Sequence, residues 1–385
     1  MTHKKKILRI ITSLDPKFGG PARGIIESTI QLNKLGFQTK IITLDKNKLK
    51  FNKDKKIKIK NFKSYIGEHY KLSFGLFFWL LKNRNNYDFF IIHGIWQFPT
   101  LAARLTLKGK YFVFTHGQLD PFFKINLFKR LKKQIYWFLI ERQNLIESKS
   151  ILLTSPGEKK TLSNTYVRMD NIKTNIIKYG ILQPKINKEK SLQLFYSQFP
   201  KFKKKKFYLF LGRFHEKKGC DIIVKSVKKL KKEFNGYVLF AGPMTGSKYE
   251  NFIKDLVIQY NLQEKIIFSD ALYNDLKWGS ILASYGMLLS SRGENFGISL
   301  AESLSLSKPV ITTNKVNISN VILKYKAGLI SNDTVNSFCK KLNEYNNMNK
   351  KQLIEMSSMA LKCFKDNFDL SSKENSLAEL LKNND

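Results

Sequence analysis

Two glutamates stand eight residues apart where a loop gives way to a helix predicted over residues 296–306. Glu294 precedes the helix, and Glu302 lies about two turns along it, pointing back toward the same crevice. The unsatisfied N–H groups and the dipole of a helix start favour a phosphate or a sugar oxygen. The N–H groups here belong to Asn295, Phe296 and Gly297. Glu302 could then bind the vicinal hydroxyls of a ribose, although two glutamates alone also fit a capped helix with a solvated carboxylate.

A short basic loop supplies complementary charge. Arg213 and Lys218 stand five residues apart between an apolar run at 207–211 and Gly219. Fixed cations in a dry cleft stabilise the negative charge of a departing nucleoside diphosphate without a metal, and no DxD-like pair is available to hold one. In so lysine-rich a chain the same loop could be solvated surface, but its place between a strand and a glycine makes it a candidate site.

These candidates need parallel strands to position them. In the first half, the apolar patterns predict a strand at residues 7–12, a loop containing Gly19-Gly20-Pro21, a helix at 22–35 and a strand at 37–44. This is a β-loop-α-β unit of the Rossmann type. Further apolar runs at 89–93 and 111–115 lead into loops containing glycine, at the strand ends where ligand crevices lie.

The same arrangement recurs after a polar, lysine-dense stretch at residues 185–206, which we interpret as a linker. A strand at 207–211, a loop at 212–219, a helix at 220–234 and a strand at 237–241 ending at Gly242 follow it. The sequence therefore predicts an α/β chain with two Rossmann-like domains facing each other across a cleft. The boundaries are a first domain at 1–184, the linker, a second domain at 207–365, and a C-terminal helix at 366–385 that packs back on the first domain.

Composition excludes several classes of protein. The chain has 385 residues, 43% hydrophobic and 13% aromatic, which is typical of a folded soluble protein. Its three cysteines form no CxxC pair and no Cys/His cluster, so neither a disulfide framework nor a zinc site is supported. No segment reaches the roughly 18 apolar residues of a spanning helix, and the N-terminus lacks a signal-peptide pattern, so we expect a cytoplasmic protein. The net charge of +38 favours polyanions or an anionic membrane face.

Several motifs together closely resemble the glycosyltransferase family 4 (group 1) enzymes, which have the GT-B fold. They are Gly212-Arg213…Lys218-Gly219, Phe240-Ala241-Gly242-Pro243, Glu294-Asn295-Phe296-Gly297…Glu302 and Lys308-Pro309-Val310. In the first domain, Gly19-Gly20-Pro21 resembles the family's glycine-rich loop facing the donor diphosphate. The segment at 115–121 resembles the His-Gly…Asp-Pro segment of members that build bacterial surface polysaccharides. The resemblance covers nearly the whole chain, and it implies that 1–184 is the acceptor-side domain and 207–365 the donor-binding domain.

The resemblance implies a role for each matching residue. Arg213 and Lys218 would bind the donor diphosphate, Glu294 would contact the transferred sugar, and Glu302 would hold the ribose. His116 would lie near the reacting face of the sugar, unless it only caps a neighbouring loop. The remaining donor-binding positions are Gly19, Gly20, Gly242, Asn295, Phe296 and Gly297. The resemblance also implies a retaining reaction on a nucleoside-diphosphate sugar, with no metal or other cofactor. Ser290-Ser291 and the serines of 303–307 depart from the family pattern.

The acceptor, a glycan or a lipid-linked molecule, is expected on the first domain. Lysines crowd residues 46–63, and residues 122–133 interleave large apolar side chains with cations. Such a segment suits an anionic membrane interface, or equally a helix whose apolar stripe is buried. Two other functions are alternatives to glycosyl transfer. A sugar-nucleotide epimerase of the same fold would need no acceptor, and a polyanion-binding protein would follow from charge alone, although no specific nucleic-acid module is recognisable.

Overall fold

A computed structural model describes residues 4–15, 20–45, 57–65, 67, 69–119, 127–159, 172–230, 233–371 and 376–384, without the side chains of 127–130. The chain divides into two compact units, Met1–Tyr179 with Leu370–Asp385, and Gly180–Asp369. Several predicted positions lie outside the described residues. These are Gly19, Asp120, Pro121, residues 46–56 and residues 122–126.

The first unit is built on a seven-stranded parallel sheet with the order β3-β2-β1-β4-β5-β6-β7. Its strands are β1 (Lys6–Ile11), β2 (Gln38–Thr43), β3 (Lys58–Asn61), β4 (Phe89–His93), β5 (Tyr111–Phe114), β6 (Ser150–Leu153) and β7 (Thr174–Ile176). Its helices are α1 (Gly20–Lys34), α2 (Phe74–Asn83), α3 (Phe98–Leu107), α4 (Leu127–Tyr136) and α5 (Arg142–Ile146), with a π-helical turn at Trp137–Glu141 between the last two. The strand order reverses between β1 and β4, where the loops after both strands diverge.

The second unit repeats this plan with six parallel strands in the order β10-β9-β8-β11-β12-β13. They are β8 (Phe207–Leu211), β9 (Tyr237–Ala241), β10 (Ile266–Ser269), β11 (Gly286–Leu289), β12 (Val310–Thr313) and β13 (Gly328–Ser331). The helices are α6 (Lys188–Gln198), α7 (Cys220–Leu230), α8 (Lys248–Gln259), α9 (Asn274–Ala283), α10 (Ile298–Ser305), α11 (Ser319–Lys324), α12 (Val335–Asn346) and α13 (Lys350–Asn367). Here the order reverses between β8 and β11.

The central strands β4, β5 and β6 of the first sheet are buried at every position, which is why they read as mainly apolar runs. Leu8 and Ile10 of β1 enter a cluster on one face, while Ile7 enters a cluster on the other. The second cluster is completed by the last helix, α14 (Ser376–Lys382), through Leu377 and Leu381. The end of the chain therefore belongs to the core of the first unit.

The lysine-dense stretch that the sequence predicted as a linker forms α6 and a 3-10 turn at Pro200–Phe202, within the second unit. The few apolar residues of this stretch explain why it is folded and is not a linker. Phe195 is fully buried, and its ring stacks on those of Phe202 and Phe207 with centroids 6.1 and 5.4 Å apart. Scattered phenylalanines are enough to fix a lysine-rich helix when they meet on one face.

Helix α1 also differs from its prediction, because it begins at Gly20 and not at residue 22. Pro21 therefore stands in the first helical turn. Proline is tolerated there since its missing N–H would have no partner in the helix. Gly20, predicted as part of a loop, is the first residue of a helix.

Candidate functional site

The loops after β8 and β11 meet at the point where the strand order of the second sheet reverses. Gly219, at φ +65°, ends the first loop, and a Cβ on it would lie 2.2 Å from the carbonyl oxygen of Ser290. The Ser290 hydroxyl donates to the carbonyl of Gly219 at 2.6 Å, and the N–H of Arg292 donates to that of Lys217 at 2.8 Å. Only glycine permits so close an approach with this backbone conformation.

Lys218 and Glu294 form an ion pair across these two loops, with Lys218 Nζ donating to Glu294 Oε2. Each side chain is about 20% exposed. Burial alone would raise the pKa of Glu294, but the charge and hydrogen bond of Lys218, with the charges of Lys217 and Arg213, hold that pKa below its ordinary value. Glu294 is therefore a carboxylate at neutral pH.

The backbone of Glu294 is fixed from a third loop, after β12. Its N–H donates to the carbonyl of Lys315, and its own carbonyl accepts from the N–H of Asn317, both at 3.0 Å. The side chain of Asn317 also donates to Asn295 Oδ1 at 3.2 Å. Three successive strand ends thus determine the position of one carboxylate.

Arg213 follows β8 and is exposed. Within the described part of the chain, no hydrogen bond or ion pair engages its guanidinium, so its five donors remain available to a ligand. Gly242, at the end of β9, packs beside the same loop, because a Cβ on it would lie 1.9 Å from the carbonyl oxygen of Gly212. His215 accepts from the N–H of Lys217 at 3.1 Å and so caps the 3-10 turn Glu216–Lys218.

Helix α10 starts one turn after Glu294. Gly297 is its N-cap at φ +74°, and the helix begins at Ile298, two residues later than predicted. Phe296 is buried and packs edge-on against Phe368, with ring centroids 5.6 Å apart. Asn295 and Phe296 therefore lead into the helix start, and the Phe296 side chain anchors it.

Glu302 lies on α10 with only 5% of its surface exposed. Lys277 of α9 donates to Glu302 Oε1 at 2.7 Å. Lys277 was not predicted as a site residue because α9 was not predicted. The one signal in the sequence was a lysine next to a tryptophan. In the structure, Lys277 Nζ lies 4.1 Å from the centroid of the Trp278 ring.

Arg292 is a second residue that was not predicted to have a role. It stands two residues before Glu294, but its partner lies far away in the sequence. Arg292 donates twice to Asp221 in the first turn of α7, and Tyr249 donates to the same carboxylate at 2.7 Å. The pair attaches the loop after β11 to the helix that follows the basic loop.

His116 belongs to the first unit, directly after β5, with a left-handed backbone at φ +49°. Glu158 fixes the residues on either side of it, accepting from the Thr115 hydroxyl at 2.7 Å and from the Gly117 N–H at 2.9 Å. His116 Nε2 lies 2.9 Å from Nδ1 of His93, and Arg9 donates to the other nitrogen of His93 at 3.1 Å. Neither Arg9 nor His93 was predicted, although an arginine within an apolar strand is an unusual sequence feature.

The structure thus brings most of the predicted donor site together in the second unit. Arg213, Lys218, Gly242, Glu294 and the segment 295–297 follow adjacent strands, and Glu302 lies further along α10. Gly20 and His116 belong to the first unit.

Among the described residues, no helix is both long and apolar enough to cross a membrane. No three or more His, Cys, Asp or Glu side chains of the same residues are grouped to hold a metal ion. The three cysteines are buried and unpaired.

Residues 194–357 match a family model described as Glycosyl transferases group 1. Among solved structures, a glycosyltransferase from Rickettsia africae ESF-5 superposes with a TM-score of 0.74 at 20% identity, over 99% of this chain and 97% of that one. HepE from Anabaena, solved with UDP and glucose, gives a TM-score of 0.78 at 14% identity, over 98% and 100%. These similarities confirm the predicted α/β fold with two Rossmann-like units, the GT-B fold.

Curated relatives are similar over shorter stretches. The alpha-1,3/1,6-mannosyltransferase ALG2 of Dictyostelium discoideum is 27% identical over 36% of this chain and 37% of its own. The O-antigen biosynthesis glycosyltransferase WclY of Escherichia coli is 35% identical over 26% of each chain. The matches therefore span between about a quarter and two fifths of these relatives' lengths.

Proposed function

We propose that this chain, whose residues 194–357 match the family model of the group 1 glycosyltransferases, transfers a sugar from a nucleoside-diphosphate sugar to a glycan or lipid-linked acceptor. The observation that carries the proposal is the Lys218–Glu294 ion pair between the loops after β8 and β11. It places a cation and an ionised carboxylate together where the strand order reverses, which is where ligands of such sheets bind.

Arg213 and Lys218 bind the donor diphosphate in this proposal. As the bond between C1 of the sugar and the phosphate oxygen breaks, the diphosphate leaves with the electron pair, and the two cations stabilise its charge. The acceptor oxygen bonds to C1 on the same face, and its proton passes to the departing phosphate oxygen. The reaction would therefore retain the anomeric configuration and would need no divalent metal.

Other residues orient the donor. Glu294 contacts the transferred sugar, and the N–H groups at the start of α10 bind oxygens of the sugar or the phosphate. Glu302 holds the ribose hydroxyls, and Lys277 keeps its carboxylate oriented. Gly242 lets the backbone after β9 lie close to the loop that bears Arg213.

A membrane-bound acceptor is favoured by one face of the first unit. Four apolar side chains of α4 and the π-helical turn are more than half exposed: Leu131 (62%), Ile135 (53%), Phe138 (53%) and Leu139 (71%). Their spacing places them on one side of the helix, and Lys132 beside them is exposed. We propose that this apolar face inserts into the interface of an anionic membrane, on its cytoplasmic side.

The similarity to WclY, whose name gives O-antigen biosynthesis, supports a role in surface-polysaccharide synthesis. WaaG, a lipopolysaccharide-biosynthesis glycosyltransferase, has the same fold, with a TM-score of 0.68.

A donor panel tests the proposed function. The chain is incubated with UDP-, GDP- and ADP-sugars, with and without lipid-linked oligosaccharides, and both the released nucleoside diphosphate and the remaining sugar nucleotides are measured. We expect release from one donor class that depends on the acceptor. Conversion of the sugar nucleotide without an acceptor would instead indicate the epimerase. UDP-glucose is the first donor to try because HepE has also been solved with it.

A further inference from the structure

Three side chains from neighbouring strands of the first sheet form one continuous hydrogen-bonded chain. Arg9 lies within β1, His93 is the last residue of β4, and His116 follows β5. Arg9 Nε lies 3.1 Å from His93 Nε2, and His93 Nδ1 lies 2.9 Å from His116 Nε2. The planes of the His93 and His116 rings differ by only 22° and their centroids lie 5.2 Å apart, so the rings meet edge to edge, as a hydrogen bond between ring nitrogens requires. All three residues belong to the same unit.

Arg9 sets the direction of this chain because a guanidinium can only donate. The side chain is 2% exposed. Its Nη1 donates to neutral acceptors of α1, the Ser28 hydroxyl at 2.6 Å, the Thr29 hydroxyl at 3.0 Å and the carbonyl of Ile25 at 3.2 Å. Burial lowers the pKa of Arg9 to about 10, which still leaves it charged at neutral pH.

The proton positions follow from that direction. Since Arg9 donates to Nε2 of His93, that nitrogen carries no proton, and His93 must be protonated on Nδ1. His93 then donates to Nε2 of His116, which leaves the His116 proton on Nδ1. Burial and the charge of Arg9 lower the pKa of His116 to about 3, and that of His93 falls well below its ordinary value, so both rings are neutral near pH 7.

We propose that Arg9 and His93 hold His116 as the neutral tautomer with its proton on Nδ1, so that His116 donates a hydrogen bond to an oxygen of the ligand and does not act as a general base. Both ring nitrogens of His116 are accounted for, because Nε2 accepts from His93 and Nδ1 carries the proton. Among the described residues, none accepts a hydrogen bond from His116 Nδ1. The ligand group that meets it must be an acceptor, such as a hydroxyl or phosphate oxygen of a sugar nucleotide. Arg9 and His93 are positioning residues.

The tautomer is measured directly on the intact chain by long-range ¹H–¹⁵N correlation after labelling with ¹⁵N-histidine. The chain has only five histidines, so the spectrum is simple, and His116→Asn identifies the signals. We expect a protonated Nδ1 and an unprotonated Nε2 for His116 at pH 7. A proton on Nε2 of His116 would overturn the proposal.

A variant of His93 tests what holds the tautomer. In His93→Gln the amide oxygen stands in for Nε2 and still accepts from Arg9, but the donor to His116 is lost. We expect His116 to show a mixture of tautomers in this variant. His69→Gln is the matched control because His69 is exposed. An unchanged His116 spectrum in His93→Gln would show that the chain does not fix the tautomer.

The role of the proton is tested by activity, and this step rests on the proposed function. The amide nitrogen of asparagine takes the place of Nδ1, whereas that of glutamine takes the place of Nε2. We expect His116→Asn to retain kcat within about tenfold and His116→Gln to lose about a hundredfold, the usual effect of removing one placed donor. The opposite order would overturn the proposal. A wild-type chain inactive on every donor would contradict the proposed function, and the spectrum, which needs no substrate, would still decide the tautomer.

Discussion

Arg292 and Asp221 are joined by two parallel hydrogen bonds, Nη1 to Oδ1 at 2.8 Å and Nη2 to Oδ2 at 2.7 Å, across 71 residues of sequence. Arg292 also donates to the carbonyl of Glu216 at 2.9 Å. Arg292 thereby attaches the loop after β11 to Glu216, where the 3-10 turn with Lys217 and Lys218 begins, and to Asp221, which follows that turn. The side chains that would bind a donor are positioned by an ion pair that would not itself need to touch it.

Asp221→Asn should therefore destabilise the second unit. Burial raises the pKa of Asp221, but the hydrogen bonds from Arg292 and Tyr249 and the charge of Arg292 outweigh it and leave that pKa below its ordinary value. A lowered pKa stabilises the fold above the unfolded value of 3.8, and this contribution is lost as pH falls through the folded value. We expect a loss of roughly 1–3 kcal/mol at pH 7 in urea unfolding.

Lys225→Ala is the matched control, since Lys225 lies 4.0 Å from the same carboxylate on the exposed side of α7. It should change the unfolding free energy by less than about 1 kcal/mol. Equal unfolding curves for Asp221→Asn and the wild type at pH 7 would contradict the role assigned to the pair.

Gly242→Ala should weaken nucleotide binding. The added Cβ would lie 1.9 Å from the carbonyl oxygen of Gly212, so the loop that carries Arg213 must move. Gly246→Ala is the comparison, because it introduces backbone strain at φ +66° while its added Cβ meets no atom within 4 Å. Calorimetric titration with a nucleoside diphosphate should show at least about tenfold weaker binding for Gly242→Ala only. Equal affinity of Gly242→Ala and the wild type for the nucleoside diphosphate would contradict this role of Gly242.

Glu141→Gln should remove a pH dependence of stability. Glu141 is fully buried in the π-helical turn, and burial raises its pKa from 4.5 to about 7. Hydrogen bonds from Trp96, Thr100 and Asn144 lower this pKa, but burial outweighs them. A raised carboxyl pKa favours the folded state below the unfolded value, and that stability is lost as pH rises toward the folded value. One pKa unit corresponds to about 1.4 kcal/mol, so the cost at pH 8 is roughly 3 kcal/mol.

Thermal unfolding at pH 5 and pH 8 measures this effect. The wild type should lose stability between the two, while Glu141→Gln should lose much less. Glu147→Gln, on an exposed side chain, should behave like the wild type. A parallel decline in Glu141→Gln would exclude Glu141 as the source.

Leu139→Gln together with Phe138→Gln should weaken membrane binding. The two side chains are 71% and 53% exposed, and burying each in a lipid interface contributes in proportion to its apolar area. Co-sedimentation with vesicles that contain anionic phosphatidylglycerol should fall at least about tenfold. Leu323→Gln, 57% exposed in the second unit, should bind as the wild type does. Unchanged sedimentation of the double variant would exclude this face.

The strands that could be predicted are those whose apolar runs are bounded by polar or glycine residues. Residues 207–211, 237–241 and 89–93 agree with the structure at both ends. The edge strand β3 (Lys58–Asn61) was missed because three of its four residues are polar and none is fully buried. Helix α6 was missed because its core contacts come from a few phenylalanines among many lysines.

In the candidate site, too, some residues could be predicted from the local sequence and others could not. Arg213, Lys218, Glu294 and Glu302 stand within short motifs, so sequence spacing was enough to single them out. The residues that hold the two candidate regions in place could not be found from sequence spacing. Lys277 and Asp221 approach through strand order and helix packing, and Arg9 reaches His93 only because β1 and β4 are neighbours in the sheet. Contacts of this kind depend on the fold and leave no local pattern.

The central claim is that the pair Lys218–Glu294 forms part of a nucleoside-diphosphate-sugar site. Calorimetric titration of the intact chain with the nucleoside diphosphate of its donor tests this most directly. Lys218→Ala should bind at least about tenfold more weakly, because a hydrogen bond to a charged group contributes about 1.5–3 kcal/mol. Lys351→Ala, an exposed lysine on α13, is the control and should bind as the wild type does. Equal affinity of Lys218→Ala and the wild type, with both folded by circular dichroism, would contradict the account.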